Sequence, residues 1–270
     1  MGGGGVPRPL VDDQLRLAIA LGIGIGPALL AMWHALRRFD YPLAPKALFD
    51  DRRVFVALAV GLGFGVFASV LTVLVATAGL GFVLTLLAVA LFEVSFLLAY
   101  LNRKGYRGRF DTTFYGTALG VGTSATLVIA SAYTANPDLA IRPDFLAFLI
   151  PFSLSTAFAM ACVGALVGYG VAQKEVLRYT VRGYMVRAAH LLILSFFFVA
   201  GGEDPAVSVP LSVISLAASI VFVLAIYSFV YREILAGTLP KDIRRELRKW
   251  SGRPEKPPRA TKAKKPAKET

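Results

Sequence analysis

Leu80-Gly-Phe-Val-Leu-Thr-Leu-Leu-Ala-Val-Ala-Leu-Phe-Glu93-Val-Ser-Phe-Leu-Leu-Ala-Tyr-Leu101 contains a single charged side chain, Glu93. Wound as a helix at about 1.5 Å per residue, the run reaches roughly 30 Å, the thickness of a bilayer's hydrocarbon core. It is apolar on every side, so it needs a membrane or a very large core around it. The rest of the chain decides between these. Of its 270 residues 56% are hydrophobic, and the mean hydropathy of +0.63 is too high for an ordinary soluble domain. Six further runs, 15–33, 54–77, 113–133, 145–172, 185–200 and 207–231, repeat the pattern. The expected architecture is all-α, a polytopic bundle of about seven transmembrane helices, with the cell membrane as its location.

Charge sets the expected orientation. The 29 Lys and Arg outnumber the 17 Asp and Glu. In a soluble chain that excess would suggest nucleic acid; here it concentrates in alternate connecting segments, 37–53, 103–109, 174–187 and 232–268. Basic segments stay on the cytoplasmic side, which puts the N-terminus outside and the C-terminus inside. Residues 1–14 then form a short extracytoplasmic segment. The first run has Asp12 and Asp13 before it and Arg37 and Arg38 after it, as expected of a retained anchor in that orientation. Gly2 lacks the Ser or Thr that myristoylation wants at Val6.

Beyond the transmembrane domain of 15–231, Thr238-Leu239-Pro240 reads as a helix start. Ile243, Leu247 and Trp250 then recur at helical spacing among basic residues. This predicts an amphipathic helix over 238–250 lying on the membrane surface. The Lys, Pro and Ala of 251–270 have almost nothing to bury and predict a disordered tail. Anionic lipid headgroups attract such a tail by about 1 kcal/mol per basic residue. Basic charge without interleaved aromatics argues against nucleic acid as partner.

Glycine trios at Gly22, Gly24 and Gly26 and at Gly61, Gly63 and Gly65 imitate phosphate loops but lie inside apolar spans. With Gly116 and Gly120, and Gly164 and Gly168, they are expected to bring helices close together. Cys162, the single cysteine, sits in an apolar run and reads as a small core residue. Embedded polar groups attract more interest, because lipid penalises them. Glu93 is the clear embedded acid and His190 lies at a comparable depth in the sixth run. Asp111, at the start of the fourth span, suits a helix cap or a functional role. Ser153, Ser155 and Thr156, or Thr123, Ser124 and Thr126, are available to bond Glu93 or His190. No Gly-x-Ser-x-Gly or His-Glu-x-x-His pattern occurs.

The order of features resembles the PrsW family of intramembrane proteases, within the group that contains the CAAX-processing enzymes. Gly26-Pro27-Ala28-Leu29-Leu30 through Trp33 to Arg37-Arg38-Phe39-Asp40-Tyr41-Pro42 looks like that family's opening helix and Asp-x-x-Pro turn. Asp111-Thr-Thr-Phe-Tyr115-Gly116-Thr-Ala-Leu-Gly120-Val-Gly122 follows its Asp-Gly-x-x-Tyr-Gly-x-x-x-Gly-x-Gly helix with the second position changed. Val167-Gly168-Tyr169-Gly170 and Ala188-Ala189-His190 are similar to its fifth-helix Gly-Tyr segment and late histidine. The resemblance implies a glutamate or metal-dependent intramembrane endopeptidase.

The catalytic pattern departs from the family's. Its Glu-Glu-x-x-Lys is represented by Glu93 alone, with Phe96 or Leu97 at the lysine position. Its Phe-x-x-x-Glu falls on Thr123 and Leu127, and its fifth-helix histidine on Met160. A catalytic zinc usually needs three protein ligands.

The leading expectation is therefore a catalytically degenerate homologue, a pseudoenzyme that binds or scaffolds other membrane proteins. The alternative is an active, divergent protease. In it Glu93 would be general base and His190 a ligand or proton carrier with Asp111 nearby, and Glu93 and His190 would hold a divalent metal such as zinc. A small transporter or channel subunit would need a polar stripe across several helices.

Overall fold

The computed structural model describes residues 10–40, 44, 48–77, 81–134, 143–200 and 205–250. Among them the regular structure is all helical, with no strand. Its helices are α1 Leu10–Leu36, α2 Asp51–Thr77, α3 Phe82–Leu101, α4 Thr112–Thr134, α5 Pro143–Gln173, α6 Val176–Ala200, α7 Pro205–Phe229 and α8 Lys241–Trp250. A short 3-10 turn, Arg37–Phe39, ends α1, and α7 widens into a π-helical segment, Val230–Leu235.

Among the described residues six segments are long and apolar enough to cross a membrane: Asp13–Phe39, Asp51–Leu71, Phe82–Leu101, Thr112–Thr134, Phe145–Gln173 and Pro210–Leu235. Large apolar side chains such as Phe55, Phe67, Leu84, Ile214 and Val221 point outward, as a multi-pass membrane bundle requires. The run expected at 185–200 belongs to a longer helix. α6 begins at Val176, so Arg178, Arg182 and Arg187 are helical rather than part of a connecting segment. The expected 174–187 loop shrinks to a turn at Lys174 and Glu175. The tail of 251–270 and the first nine residues lie outside the described residues, as do the side chains of Leu247 and Trp250. Within the 238–250 expected as a surface helix, α8 starts three residues later, at Lys241, and its Ile243 packs against the main core.

α4 is the axis. In its span 78% of residues are buried, against 33% for α2 and for α3. Everything from Asp111 to Ala125 is buried, so the most motif-like stretch of the sequence is also the most enclosed. Glycine makes this enclosure feasible. A Cβ on Gly116 would overlap the Gly164 carbonyl of α5, and one on Gly164 would overlap the Gly116 carbonyl. Gly120 meets the Met160 carbonyl in the same way. On the other flank Gly61 of α2 and Gly122 of α4 press on the carbonyls of Leu119 and Leu58. Each contact lets two backbones approach to a distance that any side chain would prevent.

The glycine trios divide. Gly24, Gly61 and Gly65 pack against α4, whereas Gly22, Gly26 and Gly63 face open space. Two helical residues apart means about 200° of rotation, so a trio spaced by two cannot present every member to one neighbour.

α3 and α6 lie on the flank away from α1, with α7 packed on α6. Near the basic end of the bundle, α1 and α7 are joined by aromatics. His34 Nδ1 and the Tyr227 hydroxyl are 2.7 Å apart, and His34 stacks on Tyr231.

Candidate functional site

Glu93 points inward from α3 and is fully buried. Its partner is Arg187 of α6, only 3% exposed. Arg187 Nε donates to Glu93 Oε2 at 2.5 Å and its terminal NH2 to Oε1 at 2.9 Å, the paired fork that guanidinium and carboxylate form. The remaining arm donates to His190 Nδ1 at 3.1 Å. Arg187 and His190 are three residues apart on one helix and so share a face. His190, fully buried, places Nε2 3.2 Å from Ser155 Oγ of α5, which lies 2.6 Å from Ser219 Oγ of α7. One polar chain therefore runs Glu93, Arg187, His190, Ser155, Ser219 and ties α3, α6, α5 and α7 together.

The donors and acceptors along this chain fix its chemistry. Arginine has only N–H groups to offer, so His190 Nδ1 must accept. A neutral imidazole with Nδ1 accepting carries its proton on Nε2, which then donates to Ser155. Ser155 and Ser219 share a further hydrogen bond in which either hydroxyl can be the donor. Nε2 therefore cannot take a proton from Ser155, and no serine nucleophile is activated here. Both carboxylate oxygens of Glu93 are bonded to the Arg187 guanidinium, so the group is held as the partner of a cation rather than as a free base. A divalent metal does not fit these residues: both imidazole nitrogens are engaged, and the space between Glu93 and His190 is filled by a guanidinium. Among the described residues no three His, Cys, Asp or Glu side chains cluster closely enough to hold a metal ion.

Asp111 belongs to a different cluster. It stands immediately before α4, as a capping residue would, and its carbonyl accepts from the amides of Phe114 and Tyr115. Its carboxylate instead accepts from Arg109 Nε at 3.0 Å and Arg109 NH2 at 2.6 Å. The Tyr115 hydroxyl donates to the same carboxylate at 2.9 Å and accepts from the Asp50 amide at 3.2 Å. That carboxylate holds the Arg109 guanidinium pKa above its ordinary value, chiefly through the hydrogen bond. The cluster pins the 102–111 turn to the start of α2. Thr113 and Thr238 extend it, their hydroxyls 2.7 Å apart, with Thr238 donating to the Phe110 carbonyl.

Of the three expected site residues, then, Glu93 and His190 come together, bridged by Arg187, and Asp111 stands apart at the bundle's end. Glu93 is bonded to arginine rather than to Ser or Thr. Ser153 donates to the Ile23 carbonyl, Thr123 to Leu119, Ser124 to Val121 and Thr126 to Leu62. Arg187 is the residue that sequence reasoning missed by assigning it to a cytoplasmic loop. A signal was present: a lone embedded carboxylate demands a cation, and Arg187 is the basic residue one helical turn from His190.

Beside the network, on the outer face of α3, an open cleft of about 550 Å³ runs between α2 and α3. It is lined by Val60, Gly63, Phe64, Phe92, Ser95 and Phe96, among others. The chain matches no protein-family model, no curated protein and no solved structure.

Proposed function

We propose that this chain is a catalytically degenerate, PrsW-like protein of the cell membrane, oriented with its N-terminus outside, that binds a transmembrane helix of another membrane protein without cleaving it. The observation that carries the reading is the fully buried fork between Glu93 and Arg187, with His190 on its third arm. The groups an active relative would direct at water or metal are spent here on one another and on holding helices together.

The α2–α3 cleft is the favoured docking surface. It opens sideways, toward the region lipid would occupy, and it is apolar. Gly63 faces open space there, and Ser95 and Ala99 lie opposite. Small residues on a lipid-facing groove suit the backbone of an incoming helix, because close approach is what stabilises helix pairs in a solvent as apolar as they are.

A photo-crosslinker at Ser95, in native membranes, tests the proposal. The expected result is a discrete protein adduct, abolished by Gly63→Phe and absent when the probe is moved to Val221 on α7. Adducts with lipid alone would overturn the binding role. A proteolytic fragment that disappears in Glu93→Gln would overturn the loss of catalysis.

A further inference from the structure

A second cavity, of about 420 Å³, lies at the end of the bundle where α3 and α5 stop and α6 starts. It is lined by Asn102, Arg107, Gly108, Val171, Lys174 and Val176. The turn that carries Arg107 is fixed on α5 by the Gly108 amide donating to the Val171 carbonyl at 3.3 Å. Arg107 is held by its Nε, which donates to Asn102 Oδ1 at 2.7 Å. Among the described residues, its terminal nitrogens and the Lys174 ammonium have no hydrogen-bonding or ionic partner. Glu175, the adjacent acid, is engaged with Arg178 at 2.9 Å. Lys174 lies across the turn, its Cε 3.8 Å from where a Cβ on Gly108 would stand.

Lys174 is also the one described residue other than glycine with a left-handed backbone, φ 63°. It follows the last residue of α5, a position where glycine closes a helix without steric penalty. The fold by itself would be better served by glycine. What lysine adds is a cation at the mouth of a cavity that already holds Arg107.

The surroundings identify the anion. Just past Val176 the outer face of α6 carries Leu177, Val181 and Met185, one helical turn apart and exposed by 79%, 49% and 62%. This apolar strip leads away from the cavity toward the membrane interior. A cavity flanked by two cations at the level where spans end, continued by an apolar track, matches a phosphate headgroup with its acyl chain. A free phosphate ion would have no use for the track.

We propose that this cavity is a binding site for an anionic phospholipid, with the headgroup phosphate between Arg107 and Lys174 and an acyl chain along Leu177, Val181 and Met185. The inference needs only the membrane bundle and is independent of whether the Glu93 network is degenerate.

The test uses the purified full chain in nanodiscs, with native mass spectrometry to count retained lipid and thermal unfolding to follow stability. Phosphatidylglycerol is compared with phosphatidylcholine, and inorganic phosphate is added in a separate arm. The parent chain is expected to retain phosphatidylglycerol selectively and to unfold at higher temperature with it. Arg107→Gln and Lys174→Gly are each expected to weaken that binding by roughly fivefold, the effect of one basic residue at a lipid surface. Lys174→Gly separates binding from folding, since in lipid-free detergent it relieves the left-handed backbone and keeps or raises the unfolding temperature. Undiminished phosphatidylglycerol binding in both variants would overturn the site. Equal stabilisation by millimolar inorganic phosphate would overturn the lipid as its occupant.

Discussion

The two flanks of α4 and the seam between α3 and α6 are held together in opposite ways. Around α4, glycines at Gly61, Gly116, Gly122 and Gly164 let backbones touch, and the interface is built chiefly from shape, with Thr126 donating to the Leu62 carbonyl beside it. Between α3 and α6 the join is a buried ion pair, Glu93 with Arg187, extended through His190 and Ser155. Lipid supplies little hydrophobic drive for helices to associate, so both seams use what remains: dispersion at close range in one, charge and hydrogen bonding in the other. Shape tolerates small errors in proportion to their size. A charge pair is worth keeping only as a pair.

That contrast predicts an order of damage. Arg187→Met leaves the Glu93 carboxylate buried without its cation and is expected to destabilise the bundle most, by about 3–5 kcal/mol. Reversible unfolding in mixed micelles measures it. Glu93→Met with Arg187→Met removes both charges together, and most of that loss should be recovered, to within about 1 kcal/mol of the parent. A double variant as unstable as the single one would mean that the seam depends on something other than the ion pair.

Gly164→Ala, which drives a methyl into the Gly116 carbonyl, is expected to cost about 1–3 kcal/mol by overpacking. The same change at Gly63, where a Cβ meets nothing within 4 Å, should instead stabilise by up to about 1 kcal/mol through helix propensity. Equal responses at Gly164 and Gly63 would remove the distinction between seam glycines and outward ones. Smallest of all, Arg109→Gln loses an ion pair whose arginine side chain is 44% exposed, and the expected cost is about 0–1 kcal/mol.

The sequence exposes these two seams unequally. Apolar runs and small-residue spacing identify the membrane bundle and the glycine contacts at Gly116 and Gly164, because both are local patterns along a helix. Spacing by two misleads at Gly22, Gly26 and Gly63, since only helical rotation tells which glycine faces a neighbour. The polar seam is half legible. Glu93 and His190 stand out because lipid makes them costly, and their similar depth is readable from residue counts. Arg187 escapes because counting basic residues to orient the spans treats each one as a loop residue. Whether a lysine or arginine marks the end of a span or lies within a helix depends on where that helix begins, and α6 starts at Val176 rather than Met185. The donor order that excludes a serine nucleophile depends on Arg187 and His190 of α6 meeting Ser155 of α5, which no single stretch of sequence brings together.

The ion pair also bears on how the protein is made. Glu93 and Arg187 are separated by 94 positions, which at translation rates of about 5–20 residues per second is roughly 5–20 s of synthesis. Throughout that interval α3 carries an unneutralised acid whose burial in lipid costs a few kcal/mol, while α4 and α5 are still emerging. α3 therefore has reason to linger at the insertion machinery, or to sit shallowly in the bilayer, until α6 arrives with its counter-charge. A ribosome stalled before Arg187 would leave a nascent chain recognisable to membrane quality control by that one unmatched carboxylate.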